Sequence, residues 1–133
     1  MSDNLRPMAG YSGTPLPKKL GITEGANVAL LHAPPGFVLD DLPDGVAVGH
    51  RLGKTHDVIL AFVDQRSHLE RAVALLEKAI FPDGAAWIAW PKRASKVPTD
   101  MTEDVVREIA LPRGLVDVKV CAIDDTWSGL KLV

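Results

Sequence analysis

The sequence predicts a single-domain α/β fold of the Rossmann-like kind, three layers around a mainly parallel sheet of five to six strands that ends in an antiparallel hairpin. Three observations predict it. Short, unbroken apolar runs such as Val58-Ile59-Leu60-Ala61-Phe62-Val63 read as strands buried on both faces. Amphipathic stretches with helix signals alternate with these runs through short loops, the pattern of a parallel sheet covered by helices. The last two apolar runs are joined too tightly for a crossover, so they must lie antiparallel to each other.

The elements follow in order. Residues 1–13 are polar and read as a flexible N-terminal arm, leaving residues 14–133 as one domain. In the next eight positions Thr14 can cap a helix of about two turns, Pro15 suits its first position and Gly21 can end it. Val28 to Ala33 is the first strand, broken by Pro34-Pro35-Gly36; residues 37–42 read as a helical turn. Val46-Ala47-Val48 is a short second strand, and a polar loop leads from it to the strongest strand, Val58 to Val63. Ser67 and Glu70 form a capping box for a helix to Ile80, with Leu69, Ala72, Val73, Leu76 and Ile80 as its apolar stripe. Ala85 to Trp90 is a fourth strand whose Trp87 and Trp90, three apart, point to opposite faces. A basic loop, Pro91 to Pro98, leads to a helix over Thr102 to Leu111, with Asp100 and Glu103 as a second capping pair. Leu115 to Ile123 is a strand, residues 124–129 a loop containing Trp127, and Leu130 to Val133 the last strand.

Composition narrows the chemistry. With 133 residues the chain can bury one real core, and 47% hydrophobic against 24% charged residues is ordinary for a folded domain. A net charge of -2 gives no strongly basic surface, so no nucleic-acid partner is expected. The single cysteine, Cys121, excludes an internal disulfide and a cysteine-based zinc site. Apolar runs of about six residues are too short to cross a bilayer, and no signal peptide is visible, so a cytoplasmic protein without a membrane is expected. His32, His50, His56 and His68 share no metal-ligand spacing, so no metal is expected, and His50 and His56 are placed in a surface loop.

An open parallel sheet binds ligands beyond the carboxyl ends of its strands. The first strand delivers His32 and Pro34-Pro35-Gly36 there, and the third Asp64. The fourth delivers Lys92 and Arg93, and the fifth Asp124, Asp125 and Trp127. Asp64, Lys92, Arg93, Asp124, Asp125 and Trp127 are therefore the candidate contacts for a small polar ligand or a protein partner. A second candidate is an anion site at a helix N-terminus, formed by Ser12, Gly13, Thr14 and Lys18, unless this segment simply docks through Tyr11. The turn after the first strand carries two prolines where a dinucleotide fold needs glycines and free amides, so no cofactor is expected.

Gly10-Tyr11-Ser12-Gly13-Thr14-Pro15-Leu16, Lys18-Lys19-Leu20-Gly21-Ile22, Ala33-Pro34-Pro35-Gly36-Phe37 and Asp124-Asp125-Thr126-Trp127-Ser128-Gly129-Leu130-Lys131 carry a resemblance. They resemble the bacterial family known as domain of unknown function 3052, over essentially the whole chain, which implies a small stand-alone bacterial protein. The order strand, helix, strand, helix, antiparallel hairpin is also similar to the later half of class I methyltransferases, from which Pro34-Pro35-Gly36 departs at the cofactor loop. Two functions follow as expectations. The first is a non-enzymatic interaction or small-ligand-binding module. The alternative is a reduced methyltransferase-like enzyme, or an acid/base catalyst using Asp64, Asp124 or Asp125. The final strand offers an edge for a homo-oligomer.

Overall fold

The computed structural model describes residues 13–133, so Tyr11, Ser12 and all of the expected arm but Gly13 lie outside the described residues. The chain runs through helix α1 (Leu16–Lys19), strands β1 (Asn27–Leu31), β2 (Ala47–Gly49) and β3 (Val58–Phe62), and helix α2 (Arg66–Ile80). It continues through β4 (Ala85–Pro91), helix α3 (Glu103–Ala110), β5 (Asp117–Ala122) and β6 (Trp127–Leu132). All six strands form one sheet in the order β2-β1-β3-β4-β6-β5. β1 runs parallel to β2 and β3, and β3 parallel to β4, with Val58 beside Ala85 and Ala61 beside Ile88. β6 lies antiparallel between β4 and β5, Ile88 beside Leu130 and Val120 beside Leu130 on its other side. The expected α/β architecture is the one the chain adopts.

Two cores sandwich the sheet. On one face Leu69, Val73, Leu76 and Ile80 of α2 and Val106 and Ala110 of α3 pack on Ile59, Ile88, Trp90 and Leu130. On the other, Leu20 and Ile22 after α1, with half-buried Phe37, Leu39 and Leu42, cover Leu30, Leu60, Phe62 and Trp87. The two tryptophans of β4 thus point to opposite faces, as their spacing requires.

Several local expectations give way to longer-range bonds. The pairing edge is β5, not the final strand: β6 sends Leu130 and Leu132 into the core and belongs inside the sheet, whereas Val116, Val118 and Val120 stay exposed. β6 already begins at Trp127, so the expected six-residue loop shrinks to a turn. Residues 37–42 form no helical turn; Leu42 precedes Pro43, which disfavours helical backbone, and Asp41 takes a φ of 61°. α1 is a single turn with Pro15, not Thr14, at its N-cap. The Ser67 capping box does not form either. α2 starts at Arg66, whose N–H donates to Asp100 Oδ1 at 2.6 Å. Asp100 is thereby removed from α3, which is capped by Thr102 Oγ1 accepting from Val105 N–H at 3.1 Å.

His56 is not in a surface loop but buried, at 6% exposure, beneath the amino ends of the strands. Its Nε2 accepts the Gly53 N–H at 2.8 Å, so Nδ1 carries the proton and donates to Asn27 Oδ1 at 2.8 Å. Burial pushes its pKa below the ordinary 6.5, partly opposed by the Asp57 charge. The native ring is the neutral one, while the unfolded ring takes up a proton below about pH 6.5. Its contribution is therefore intact above that pH and lost as pH falls toward the lowered native value. Melting temperature at constant salt is expected to drop between about pH 7 and about pH 5, and His56→Gln should flatten that slope. An unchanged slope in the variant would remove His56 as its source.

Candidate functional site

From β1 the chain moves to β2 on one side of the sheet, then returns past β1 to β3 on the other. The strand order therefore reverses between the carboxyl ends of β1 and β3, where α/β sheets place their ligands. His32, at φ 57°, turns the chain out of β1, and the stiff Pro34-Pro35 pair is closed by Phe37 N–H on Pro34 O at 3.1 Å. β3 is followed by Val63, Asp64 and Gln65, which lead directly into α2.

Between these exits lies a hollow of about 650 Å³. Leu31, Ala61, Phe62, Leu76 and Trp127 give it apolar walls, while His32, Asp64, His68 and Arg71 supply the polar groups. Phe62 and Trp127 meet edge to face, centroids 5.0 Å apart at 84°, and Phe37 contacts the same Phe62 ring at 4.9 Å. Asp64 Oδ1 stands 3.9 Å from His68 Nδ1, one helical turn away. Two further hollows follow the same rim. One, about 560 Å³, lies along the exit of β4 beside Lys92, Arg93 and Lys96; the other, about 480 Å³, lies between Pro34–Phe37 and the β5–β6 turn.

The candidate residues are thus divided among three places. Asp64 and Trp127 line the hollow at the strand reversal, and Trp127 does so as a wall in a strand rather than as a loop residue. Lys92 and Arg93 line the β4 hollow, and Lys92 N–H is anchored on Thr126 O at 2.7 Å. Asp124 borders the third hollow with its carboxylate committed to the turn, Oδ1 accepting from Thr126 N–H and Trp127 N–H at 2.8 Å each. Asp125 is exposed beside it. At α1, Pro17 has no N–H, and Lys18 and Lys19 both donate to Pro15 O at 3.1 Å. Gly13, Thr14 and Lys18 surround this turn, and Ser12 lies outside the described residues.

His68 and Arg71 were not among the candidates. Their signal was present: they lie three apart on the helix that leaves the reversal point, and Arg71 has no acidic residue three or four positions away. Cys121, also on the sheet, has its thiol pKa pushed up by burial, which makes it a poor nucleophile. Among the described residues no three His, Cys, Asp or Glu side chains are grouped to hold a metal ion.

No protein-family model matches the sequence, and no curated protein does. Solved structures do match. A SAM-dependent methyltransferase from Aquifex aeolicus superposes with a TM-score of 0.58 at 15% identity, over 86% of this chain and 85% of its own. Fibrillarin, the pre-rRNA processing protein of Methanococcus jannaschii, gives 0.59 at 16% identity, over 90% and 68%. Aeropyrum pernix fibrillarin, solved with natively bound S-adenosyl-L-methionine, gives 0.55 at 14%, over 84% and 68%.

The fold is that of the methyltransferases. At these identities the likeness is one of architecture. The methyltransferase fold implies S-adenosylmethionine, and the residues at the exit of β1 do not fit it. Pro34 and Pro35 have no N–H to offer the ligand. No helix follows the turn to direct a positive dipole end at an anionic group. The exit of β2 is Gly49-His50-Arg51, without the carboxylate that dinucleotide-binding sheets place there for ribose hydroxyls.

Proposed function

We propose that this chain is a small-molecule-binding module built on the methyltransferase fold, holding its ligand between β1 and β3 and transferring no methyl group. One observation carries the reading: a hollow of about 650 Å³ sits at the strand reversal, and the turn that closes its β1 side carries two prolines in place of a glycine-rich amide cradle. That volume is in the range of about 300–1,000 Å³ typical of ligand sites. Its apolar walls and few polar groups favour a ligand held by shape and by side chains. Acid/base catalysis is less well supported, since Asp64 is half exposed and Asp124 is bound into its turn. In this reading Lys92 and Arg93, which have no carboxylate partner among the described residues, serve a second contact with ligand or protein partner. The four segments that resemble domain of unknown function 3052 support reading the chain as a cytoplasmic member of that bacterial family.

The fold likeness itself favours the alternative, a reduced methyltransferase-like enzyme. Calorimetric titration with S-adenosylmethionine and S-adenosylhomocysteine separates the two. Neither is expected to bind saturably or to raise the melting temperature. Tight binding of either that is altered by replacing Pro35 or Gly36 would overturn the module and restore the enzyme.

A further inference from the structure

We infer that the hollow between β1 and β3 takes a planar apolar molecule bearing one anionic group, a carboxylate or a phosphate, with Arg71 as its anchor. This rests on the reading of that hollow as a ligand site. Three other arginines of α2, α3 and the turn after it each have a carboxylate. Arg66 holds Glu70 at 3.1 Å and Glu108 at 2.8 Å. Arg107 holds Asp117 at 2.8 Å and Glu103 at 2.5 Å, and Arg113 holds Glu77 at 2.9 Å. Arg71, which lines the hollow, has no ion pair or hydrogen bond among the described residues. Asp64, the carboxylate of that lining, lies 3.9 Å from His68 Nδ1 and makes no ion pair with Arg71.

Arg71 stands exposed at the rim of the hollow, where an incoming anion meets a guanidinium that has no carboxylate to give up. Its planar fork fits the paired oxygens of a carboxylate or phosphate. The opposite end of the ligand is set by half-buried Trp127, whose ring is braced against buried Phe62, with half-buried Leu31 beside it as apolar surface. Pro34 and Pro35 stiffen the rim but donate nothing, so polar recognition falls to Arg71 with His32 and His68.

The test is an amide NMR titration of the whole chain with α-naphthyl phosphate, α-naphthoate and uncharged α-naphthol. Both anions are expected to shift amides of residues 31–33 and 61–72, and naphthol to bind more weakly. Arg71→Leu should raise the Kd of both anions about tenfold, the scale of one charge-assisted hydrogen bond, and leave naphthol unchanged. Arg71→Lys should recover part of that loss. Ala72→Trp and Ala33→Phe, which fill the hollow from opposite sides, should weaken all three probes, their folding checked by circular dichroism. Anions that bind Arg71→Leu as well as wild type would overturn the anchor and leave the hollow a ligand site. Scattered shifts, shifts that survive both filling variants, or no saturable binding at all would overturn the site and the inference together. Whichever anion binds tighter identifies the group preferred.

Discussion

Trp87→Ala is expected to destabilise the domain by about 3–5 kcal/mol. The whole of a domain's stability is typically about 5–15 kcal/mol. Trp87 is fully buried in the middle of β4, on the face covered by α1. Truncation would leave a ring-sized cavity under Leu20, Leu60 and Ile123, on a rigid sheet that cannot collapse into it. A second loss accompanies the first. Trp87 Nε1–H donates to Leu20 O at 3.0 Å, the bond that ties the end of α1 to the sheet. Trp87→Phe isolates that part: it keeps most of the volume but orphans a buried carbonyl, at a cost of about 1–3 kcal/mol. Lys119 Nζ, 5.9 Å from the ring centre, adds little, since an exposed cation–π contact is worth about 0.5–1 kcal/mol. Urea unfolding followed by circular dichroism measures both variants. A loss below about 1 kcal/mol for Trp87→Ala would show that this face repacks freely and that α1 is not held through the indole.

What could be read in the sequence was what local patterns decide. β1, β3, β4 and α2 appear where the apolar runs and stripes stand, because burial of those residues depends only on periodicity and on the breakers that flank them. Apart from the Leu42-Pro43 step and the cap of α1, which are local, the missed features depend on residues far apart in the chain. Asp124-Asp125-Thr126 and Ser128-Gly129 are turn formers, so β6 read as a loop up to Leu130. Yet Gly129 is needed inside the sheet, because a Cβ there would stand 2.9 Å from Ile123 Cδ1 and 3.3 Å from Trp87 Cε3. Two plausible capping boxes lost to Asp100, which reaches across 34 positions to Arg66. His56 looked solvated until Asn27, 29 positions away, supplied its partner.

The site divides in the same way. The rule for open parallel sheets placed Asp64 and Trp127 at the strand reversal, because it follows from strand direction alone. It did not separate Lys92 and Arg93 from them, since the β4 exit turns into its own hollow behind the short helical turn at Arg93–Ser95. Arg71 was lost because an exposed helical arginine usually belongs to a solvated face. Only the pairing of Arg66 and Arg107, each with an acid on its own helix, shows what Arg71 lacks.

Gly84→Ala should be nearly as damaging as the loss of Trp87, by overpacking rather than by a cavity. A Cβ on Gly84 would press on His56 O closer than any real contact, and stand 3.0 Å from Ile80 O and 3.1 Å from Ile80 Cα. All three are main-chain atoms, so no side chain can rotate away. Nor is the backbone free to move. Gly84 N–H donates to Ile80 O at 2.7 Å, His56 N–H to Ala79 O at 2.8 Å, and Ala85 N–H to Asp57 O at 3.0 Å. These bonds lace the end of α2 and the starts of β3 and β4 together, and the added methyl would part them. The expected cost is about 3 kcal/mol, the upper part of the range for overpacked sites. For a domain of this size each kcal/mol lowers the melting temperature by roughly 3–5 °C. Gly49→Ala is the control. It has no positive φ and nothing within 4 Å of the added carbon, so its stability should change by less than about 0.5 kcal/mol. If the two alanine variants melted together, the close approach of the His56 carbonyl to Gly84 would not be a constraint on the fold.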